Sequence, residues 1–517
     1  PLRGRLPELR ELREGVACTF SIENQRAERV TVFCVESLTG KLVRVKSVEP
    51  DERVQQDSFE GQKWVAKVGP KAVAAYQVTP RLPVWTLLAD AENDFVPALP
   101  IGDNSDLNEA IPTAQVYQLA TGDVKAVMVF VEFPDVRHDR TVEKACSIIT
   151  GGAKDWYRIE SYGRLRFEVT PHGDWQMMPK RSTAYGNIQS DADAHREYIS
   201  TALSLFPTGS INYEDYDIAY VVSAKTPEVP KVLFNSPTLS AGIEVPTNNG
   251  TVRHTVTFGR DSYERGFHVL LHETGHLFGL PDLYLFTSTD WLEPVGAWDI
   301  MCDLDLGQHF LGWHKYKLGW LDESQLFYLK SGEVSLPLAP FESAEVVKMI
   351  LLPSESESRV YVVEIAQPLG VDQEYRDKGI LVYTVDAAVE TGKRPVSVVS
   401  GLDESPSANE ISRYGVLCVA YLAPGETQTF GLSDGQKIEI TNEMQFGSGF
   451  QVRARQFATT RMMRSVRRTR SPGKDRSVVL GSHAAPNAPV RAASAFFPLT
   501  DNLGQLTRSQ CLPTQAD

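Results

Sequence analysis

The sequence predicts a multidomain α+β fold in which a central α/β region lies between two β regions. Its 517 residues exceed the usual size of one domain. Residues 123–223 alternate between apolar strand patterns and amphipathic helix patterns, whereas residues 16–80 and 325–455 carry strand patterns. We therefore divide the chain into the segments 1–80, 81–112, 113–324, 325–456 and 457–517.

The composition is that of a soluble globular protein, with 42% hydrophobic and 23% charged residues. We find no run of about 18 apolar residues, so the sequence predicts no membrane span. The net charge of −14 argues against a nucleic-acid-binding protein, which needs a basic surface. The six cysteines form no CxxC pair, which argues against a structural zinc knuckle.

The N-terminal segment is predicted to be a β-sandwich. Its strand patterns are VACTFSIEN (16–24), RVTVFCVES (29–37) and QKWVAKVG (62–69), separated by turn signals at LTGK and EPDE. Residues 81–112 are rich in Pro, Asp and Asn, which favours a linker or an extended arm.

The central segment is predicted to contain a mostly parallel sheet with helices. Strands are predicted at 123–135, 164–175, 213–223 and 251–259, and helices at 141–163, 191–206 and 263–278. The strand DVKAVMVFVEFPD is apolar throughout, as expected for a strand that is buried on both faces.

Strand patterns return in the C-terminal segment, which predicts a second, β-sandwich-like module. The strands are VVKMILLP (346–353), RVYVVEIAQ (359–367), KGILVYTVDA (378–387), YGVLCVAYL (414–422) and QKIEITN (436–442). The tail from residue 457 contains RMMRSVRRTRSPGKDR and is otherwise rich in Ala, Pro and Ser, so we expect it to be disordered.

The stretch HETGHLFGLPD, residues 272–282, predicts a metal site on a helix. His272 and His276 lie four residues apart, so both side chains stand on one helix face and reach one zinc ion. Glu273 lies one step around the helix, where it reaches a water on the metal and serves as general base. The alternative is a helix that carries two histidines without a metal.

The residues that follow the histidines predict a sharp turn. Gly279 tolerates a positive φ and Pro281 prevents the helix from resuming. The turn brings Asp282 back towards the histidines as the third metal ligand, and Glu293, Asp299 and His309 are competing candidates. His268 lies one turn before His272, but three turns of a straight helix span about 12 Å and cannot all reach one ion.

HExxHxxGxxD followed by GAWDIM (296–301) resembles the metzincin zinc peptidases, and within them the immune inhibitor A-like family. The similarity covers about residues 120–455 through VMVFVEFPD, IESYGRLRFEVTPHGDW, HETGHLFGLPDLY, WDIM and HKYKLGWL. It implies a metzincin-like α/β catalytic domain over residues 113–324. It also implies secretion to the extracellular space and protein or peptide substrates, and calcium (Ca²⁺) is a further structural ion to test for.

The resemblance also assigns roles to residues of this chain. It implies that His272, His276 and Asp282 bind Zn²⁺, with Glu273 as catalytic base and Met301 in the Met-turn beneath the metal. It further implies that the strand at 251–259 pairs with an extended substrate. Candidate transition-state stabilisers are Tyr284 and His309.

Residues 16–80 resemble the β-domain of the von Hippel–Lindau tumour suppressor. Ser58 and Trp64 match positions of that family's hydroxyproline pocket, while Gln62, Val45 and Val35 replace the other three. We therefore expect a shared fold without hydroxyproline binding. The module either binds another protein ligand or caps the peptidase.

Two functions follow from these expectations. The first is a zinc-dependent endopeptidase, that is, a metalloprotease that hydrolyses peptide bonds through a metal-activated water. The second is a catalytically silent peptidase homologue that acts as a protein-binding module. Glu273 separates them, because a silent homologue is expected to lose the base or a ligand and this chain retains them. Cleavage of a bond other than a peptide bond is a third, weaker hypothesis.

Overall fold

A computed structural model describes residues 17–35, 41–59, 62–78, 84–87, 92–94, 108–109, 117–239, 243–287, 294–305, 309–341, 347–354, 356–366, 379–399, 424–431, 437–446 and 449–457. The strand expected at 414–422 and the tail from residue 458, which we expect to be disordered, lie outside these residues.

The N-terminal part contains two sheets that share one core. Its strands are β1 (Ala17–Asn24), β2 (Val30–Val35), β3 (Leu42–Val48), β4 (Arg53–Phe59), β5 (Lys63–Val68), β6 (Lys71–Gln77) and β7 (Val84–Leu87). The next strand along the chain, β8 (Glu92–Asp94), belongs to neither of these two sheets. The sheet orders are β4-β1-β7 and β3-β2-β5-β6. Val30, Val32 and Cys34 alternate inward along β2 and contribute to the shared core. β7 lies in the stretch expected to be a linker and pairs in parallel with β1.

A six-stranded sheet lies at the centre of the chain. Its region contains β9 (Gly122–Glu132), β10 (Leu165–Pro171), β11 (Gln176–Met177), β12 (Ile218–Ser223), β13 (Thr238–Leu239), β14 (Val245–Thr247), β15 (Gly250–Val252) and β16 (Thr255–Phe258). The order is β10-β9-β12-β16-β13, with β11 beside β9 and a separate β14–β15 hairpin. Strands β10, β9, β12 and β16 run parallel, and β13 pairs antiparallel with β16.

Short helices accompany this sheet. They are α1 (Val142–Thr150), α2 (Ala153–Glu160), α3 (Ala192–Leu203), α4 (Ser262–Arg265), α5 (Phe267–Leu277) and α6 (Gly312–Lys317), with 3-10 turns at Ser182–Tyr185, Tyr213–Asp215, Gly296–Trp298 and Glu323–Gln325. Thr141 and Asp191 accept backbone N–H groups at the starts of α1 and α3, as N-cap side chains do. The single helix expected at 263–278 is two helices, because Gly266 adopts a φ of 61° between them.

One nine-stranded sheet forms the C-terminal part, in place of the expected sandwich-like pair of sheets. Its strands are β17 (Leu326–Leu338), β18 (Met349–Pro353), β19 (Arg359–Ala366), β20 (Gly379–Asp386), β21 (Val396–Val398), β22 (Thr427–Gly431), β23 (Lys437–Phe446) and β24 (Gly449–Phe457). The order is β21-β20-β19-β18-β17-β24-β23-β22, and β8 pairs with β17. Strands from both halves of the sheet share one core, since Val363 on β19 and Ile438 on β23 belong to the same cluster of buried side chains.

The fold class expected from the sequence is wrong. The described residues contain 24 strands and six α-helices, so strands dominate. The chain is therefore mainly β. It is not the expected α+β protein with a helix-rich, metzincin-type α/β domain. The helices expected in the central segment do form, but the longest has 12 residues. Short strands that have no clear sequence period, such as β11 and β13, add to the β content.

Strands β18 to β20 of the C-terminal sheet are buried on both faces, and this joins the sheet to the central region. Along β19, Val360 and Val362 pack into the core that contains the metal-motif helix, whereas Tyr361 and Val363 face the core on the other side. A residue period of two explains this division between faces. The core around α5 is therefore continuous across residue 325.

Candidate metal centre

Helix α5 places the two motif histidines inside the protein. Residues Val269 to Leu277 are all buried, and His272 and His276 are 3% and 6% exposed. The polar residues of HETGH therefore lie within a core, where each buried polar group needs a partner. A surface helix that carries two histidines by chance does not have this environment.

Backbone carbonyls fix the orientation of both imidazoles. His272 Nδ1 lies 3.0 Å from the carbonyl oxygen of Ile300, and His276 Nδ1 lies 2.8 Å from that of Leu280. A carbonyl oxygen only accepts, so each Nδ1 carries the proton and donates it. Once Nε2 is deprotonated, each ring presents an Nε2 lone pair, which is the form in which histidine binds a metal.

The turn after α5 brings Asp282 to these lone pairs. Gly279 has a φ of 91°, its N–H donates to His276 O, and the Leu280 N–H donates to Gly275 O. This is the paired hydrogen-bond pattern of a Schellman helix end, which favours glycine at the left-handed position. Asp282 Oδ1 lies 3.1 Å from His272 Nε2 and 3.3 Å from His276 Nε2.

These separations fit a zinc site. Ligand atoms bound tetrahedrally at 2.0–2.2 Å lie about 3.3–3.6 Å from one another. Asp282 Oδ1 is buried and accepts no hydrogen bond from the described residues, although it faces two nitrogens. Three lone-pair atoms that face each other repel unless a cation or a proton lies between them, and the donor set of two imidazoles and one carboxylate suits zinc.

Among the described residues, one group of side chains that could together hold a metal ion does not include Asp282. It consists of His272, Glu273 and His276, whose ligand atoms lie within 4.8 Å of one another. We assign Asp282 rather than Glu273 as third ligand, because Asp282 Oδ1 lies closer than that to both histidine nitrogens. Glu273 Oε2 instead accepts a hydrogen bond of 2.6 Å from the hydroxyl of Thr238.

The charges of the cluster are strongly coupled. Burial acts to lower the pKa of His276, but the Asp282 carboxylate outweighs it and raises that pKa to about 9. Burial likewise acts to raise the pKa of Asp282, but His276 and His272 hold it well below its usual range. The carboxylate therefore stays ionised at neutral pH, as a metal ligand must.

Glu273 differs from Asp282 in its electrostatics. Burial raises the pKa of Glu273 to about 7, and the neighbouring histidines and the Thr238 hydrogen bond oppose only part of that shift. Thr238 lies on β13, 35 residues before Glu273, so sequence reasoning did not identify it. A carboxylate with a pKa near neutrality suits proton transfer in both directions.

Met301, for which the resemblance implies a Met-turn, packs against the helix. It is fully buried, and a Cβ built on Gly275 would lie 2.7 Å from its Sδ atom. Glycine between the two histidines therefore allows Met301 to approach the helix backbone closely. The carbonyl of the preceding residue, Ile300, is the one that orients His272.

Of the two candidate stabilisers, Tyr284 joins the cluster. Its ring stacks with that of His272 at 6.3 Å between centroids. Burial raises the pKa of Tyr284 well above its usual value, and the Asp282 and Glu273 carboxylates add to this shift. Its hydroxyl therefore stays protonated and able to donate a hydrogen bond.

His309 does not belong to the metal-capable group found among the described residues. It is buried, and its charge acts on Glu364 of the C-terminal sheet. His268 is also outside that group, and its ring contacts that of Phe267 at 4.5 Å between centroids.

The surroundings of Asp299 are those of a structural residue, not those of a metal ligand. Its Oδ1 accepts the Met301 N–H at 2.8 Å and its Oδ2 accepts the Leu311 N–H at 2.7 Å. His314 Nδ1 lies 2.7 Å from the same Oδ2, and His314 Nε2 lies 2.9 Å from Glu109. Asp299 thus braces the turn at Met301. The third competitor, Glu293, lies outside the described residues.

The N-terminal module buries the two residues that match the hydroxyproline pocket. Trp64 is 3% exposed, and its indole N–H donates to Ser58 Oγ at 3.0 Å. Gln62 is also buried, and its side-chain amide donates to the carbonyl of Val35. The polar groups of these three side chains are engaged within the module, which is what a structural role requires.

Comparison with models of known protein families and with the curated proteins finds no match to this chain. Within the described residues, no helix is both long and apolar enough to cross a membrane.

Proposed function

We propose that this protein is a zinc-dependent endopeptidase. One observation carries the proposal: the Asp282 carboxylate oxygen lies 3.1 and 3.3 Å from the two imidazole nitrogens, and each imidazole is oriented by a backbone carbonyl. A second carboxylate, that of Glu273, lies in the same cluster without taking the ligand position. Three protein ligands with an adjacent carboxylate are typical of catalytic rather than structural zinc sites.

His272, His276 and Asp282 would hold the metal. When bound, zinc supplies Lewis acidity, which polarises a carbonyl group and lowers the pKa of water. The hydrogen bonds at Nδ1 of both histidines keep the rings from rotating, so the ligand atoms are preorganised. Asp282 balances part of the positive charge.

Glu273 would move the proton. Thr238 holds its carboxylate through Oε2, and burial brings its pKa to about 7. Glu273 takes a proton from the attacking water and delivers it to the amine that leaves. The protonated hydroxyl of Tyr284 borders the same space, where it donates to the negative oxygen that develops in the transition state.

The substrate would pair with a different strand from the one expected. β16 lies between β12 and β13, so both of its edges are occupied. β13 lies at the end of the sheet and also carries Thr238, the partner of Glu273. An extended peptide added at β13 would therefore lie beside the base, which supports a peptide as the substrate.

The test compares the wild type with Glu273→Gln, using zinc content by mass spectrometry and hydrolysis of casein. We expect the wild type to hold about one zinc and to cleave. Glu273→Gln should keep the zinc and lose activity by about 10²–10⁴-fold, the usual contribution of a general base. Glu364→Gln is the matched control, because Glu364 is another buried carboxyl whose pKa burial raises to about 7.

Three results would count against the proposal, each in a different way. A wild type that binds zinc but cleaves no protein substrate would favour the silent, protein-binding homologue. A wild type that binds no zinc at neutral pH would contradict the metal site itself. Equal losses in Glu273→Gln and Glu364→Gln would indicate a general effect of removing a buried charge.

A further inference from the structure

A loop of the C-terminal sheet contacts the third metal ligand. The loop joins β20 to β21, and Thr391 at its tip lies 109 residues after Asp282. Thr391 Oγ1 accepts the Asp282 N–H at 2.9 Å and lies 3.5 Å from Asp282 Oδ2, to which its hydroxyl donates. One threonine hydroxyl thus contacts both the backbone and the carboxylate of this ligand.

The next residue extends this contact. The Gly392 N–H donates to the carbonyl of Asp282 at 3.0 Å, and the Gly392 carbonyl accepts the Phe286 N–H at 3.1 Å. Gly392 has a φ of 68°, and a Cβ at this position would lie 2.3 Å from the Phe286 ring. Four hydrogen bonds therefore join residues 391–392 to residues 282–286, and glycine is required for the close approach.

The base of the loop is rigid. Asp386 at the end of β20 accepts the Ser358 hydroxyl at 2.8 Å and the Ala388 N–H at 3.1 Å. It also pairs with Arg359 on β19 through two guanidinium nitrogens at 3.0 and 2.9 Å. Since β19 and β20 are buried on both faces, the loop tip is held in place by the core of the molecule.

We propose that Thr391 is a positioning residue for Asp282, so that the C-terminal sheet completes the metal centre of the central region. This inference rests on the proposed function. Two carbonyls on the central region orient His272 and His276, whereas Asp282 has its own orienting group on another sheet. Without Thr391 the carboxylate would rotate about its side-chain bonds, and zinc would lose a preorganised ligand.

The experiment uses the full-length protein and two substitutions at one position. Thr391→Val keeps the shape of the side chain and removes the hydroxyl, whereas Thr391→Ser keeps the hydroxyl. Zinc affinity is measured by competition with a chromogenic chelator, and amide hydrogen exchange over residues 280–286 is measured in the metal-free protein. Thr384→Val is the matched control, because Thr384 lies on β20 and its hydroxyl bonds to Ser397 O, away from Asp282.

We expect Thr391→Val to weaken zinc binding by about 10–100-fold, the usual effect of removing a group that orients a metal ligand. Exchange at 280–286 should accelerate, because the Asp282 N–H loses its acceptor. Thr391→Ser should restore both properties, and Thr384→Val should leave both unchanged. kcat should fall in Thr391→Val when zinc is limiting and recover when zinc is in excess.

If Thr391→Val has the same zinc affinity and the same amide exchange as the wild type, the inference is overturned. The proposed function would then stay intact. If the wild type binds no zinc, the proposed function fails, and exchange still decides whether Thr391 holds the 280–286 segment. If Thr391→Val does not fold, Gly392→Ala provides a second route, since its Cβ displaces the loop from Phe286. A Gly392→Ala protein with wild-type zinc affinity would equally overturn the inference.

Discussion

The turn that carries Asp282 provides the sharpest test of how the proposed metal centre is built. Replacing Gly279 with alanine perturbs it in two ways. The φ of 91° is in the left-handed region, and the new Cβ would lie 3.0 and 3.1 Å from two ring atoms of Tyr117. Since Asp282 follows only three residues later, any shift of the turn moves its carboxylate away from the two histidines.

The expected magnitude has two parts. A left-handed backbone costs an alanine about 1–2 kcal/mol of folding stability. A tenfold to hundredfold weaker zinc affinity removes about 1.4–2.7 kcal/mol of zinc-dependent stabilisation at fixed free zinc. Gly279→Ala should therefore lose about 1–2 kcal/mol of stability without zinc. With zinc present the two parts add, and the loss should be about 2–5 kcal/mol.

Denaturant unfolding with and without zinc measures both parts. Gly122→Ala is the control, because Gly122 has a φ of 80° and nothing lies within 4 Å of the added Cβ. This variant should show the backbone cost and keep the full stabilisation by zinc. If zinc stabilises Gly279→Ala as much as the wild type, Asp282 does not depend on this turn and the reasoning fails.

Three further predictions concern single contacts. Tyr284→Phe should lower kcat by about 10²–10³-fold with KM unchanged, as loss of an oxyanion donor does; steady-state kinetics with an unaltered kcat would exclude that role. Gly275→Ala should destabilise the fold by about 1–3 kcal/mol through overpacking against Met301. Adding Met301→Ala should recover part of this loss in a double-mutant cycle, and strict additivity would contradict the contact. Burial lowers the pKa of His195 to about 3, so its contribution to stability is present above pH 6.5 and is lost as the pH falls towards 3. As the pH falls from 6.5 towards 3, the free energy of unfolding should change less steeply in His195→Gln than in the wild type, by up to about 1.4 kcal/mol per pH unit. Equal slopes in the two proteins would refute the assignment.

Much of the local structure was predictable because it depends on near neighbours in the chain. The strand at β9, the helices α1 to α3 and the helix end at Gly279 follow from periodicity, capping and backbone freedom. Strands of two or three residues, such as β11 and β13, are too short to show a period. They and the nine-stranded C-terminal sheet explain why the expected fold class was wrong.

The sequence by itself determined the spacing of His272 and His276, the carboxylate beside them and the glycine that ends their helix. These features act within one helix and one turn, so local geometry is enough to specify them. The tertiary structure decided which distant groups complete the centre. It turned Asp282 rather than Asp299 towards the histidines, and it brought Thr238 and residues 391–392 to the carboxylates. The physical reason is that hydrogen bonds between residues 35 and 109 positions apart depend on how separate sheets pack, which no local pattern of residues records.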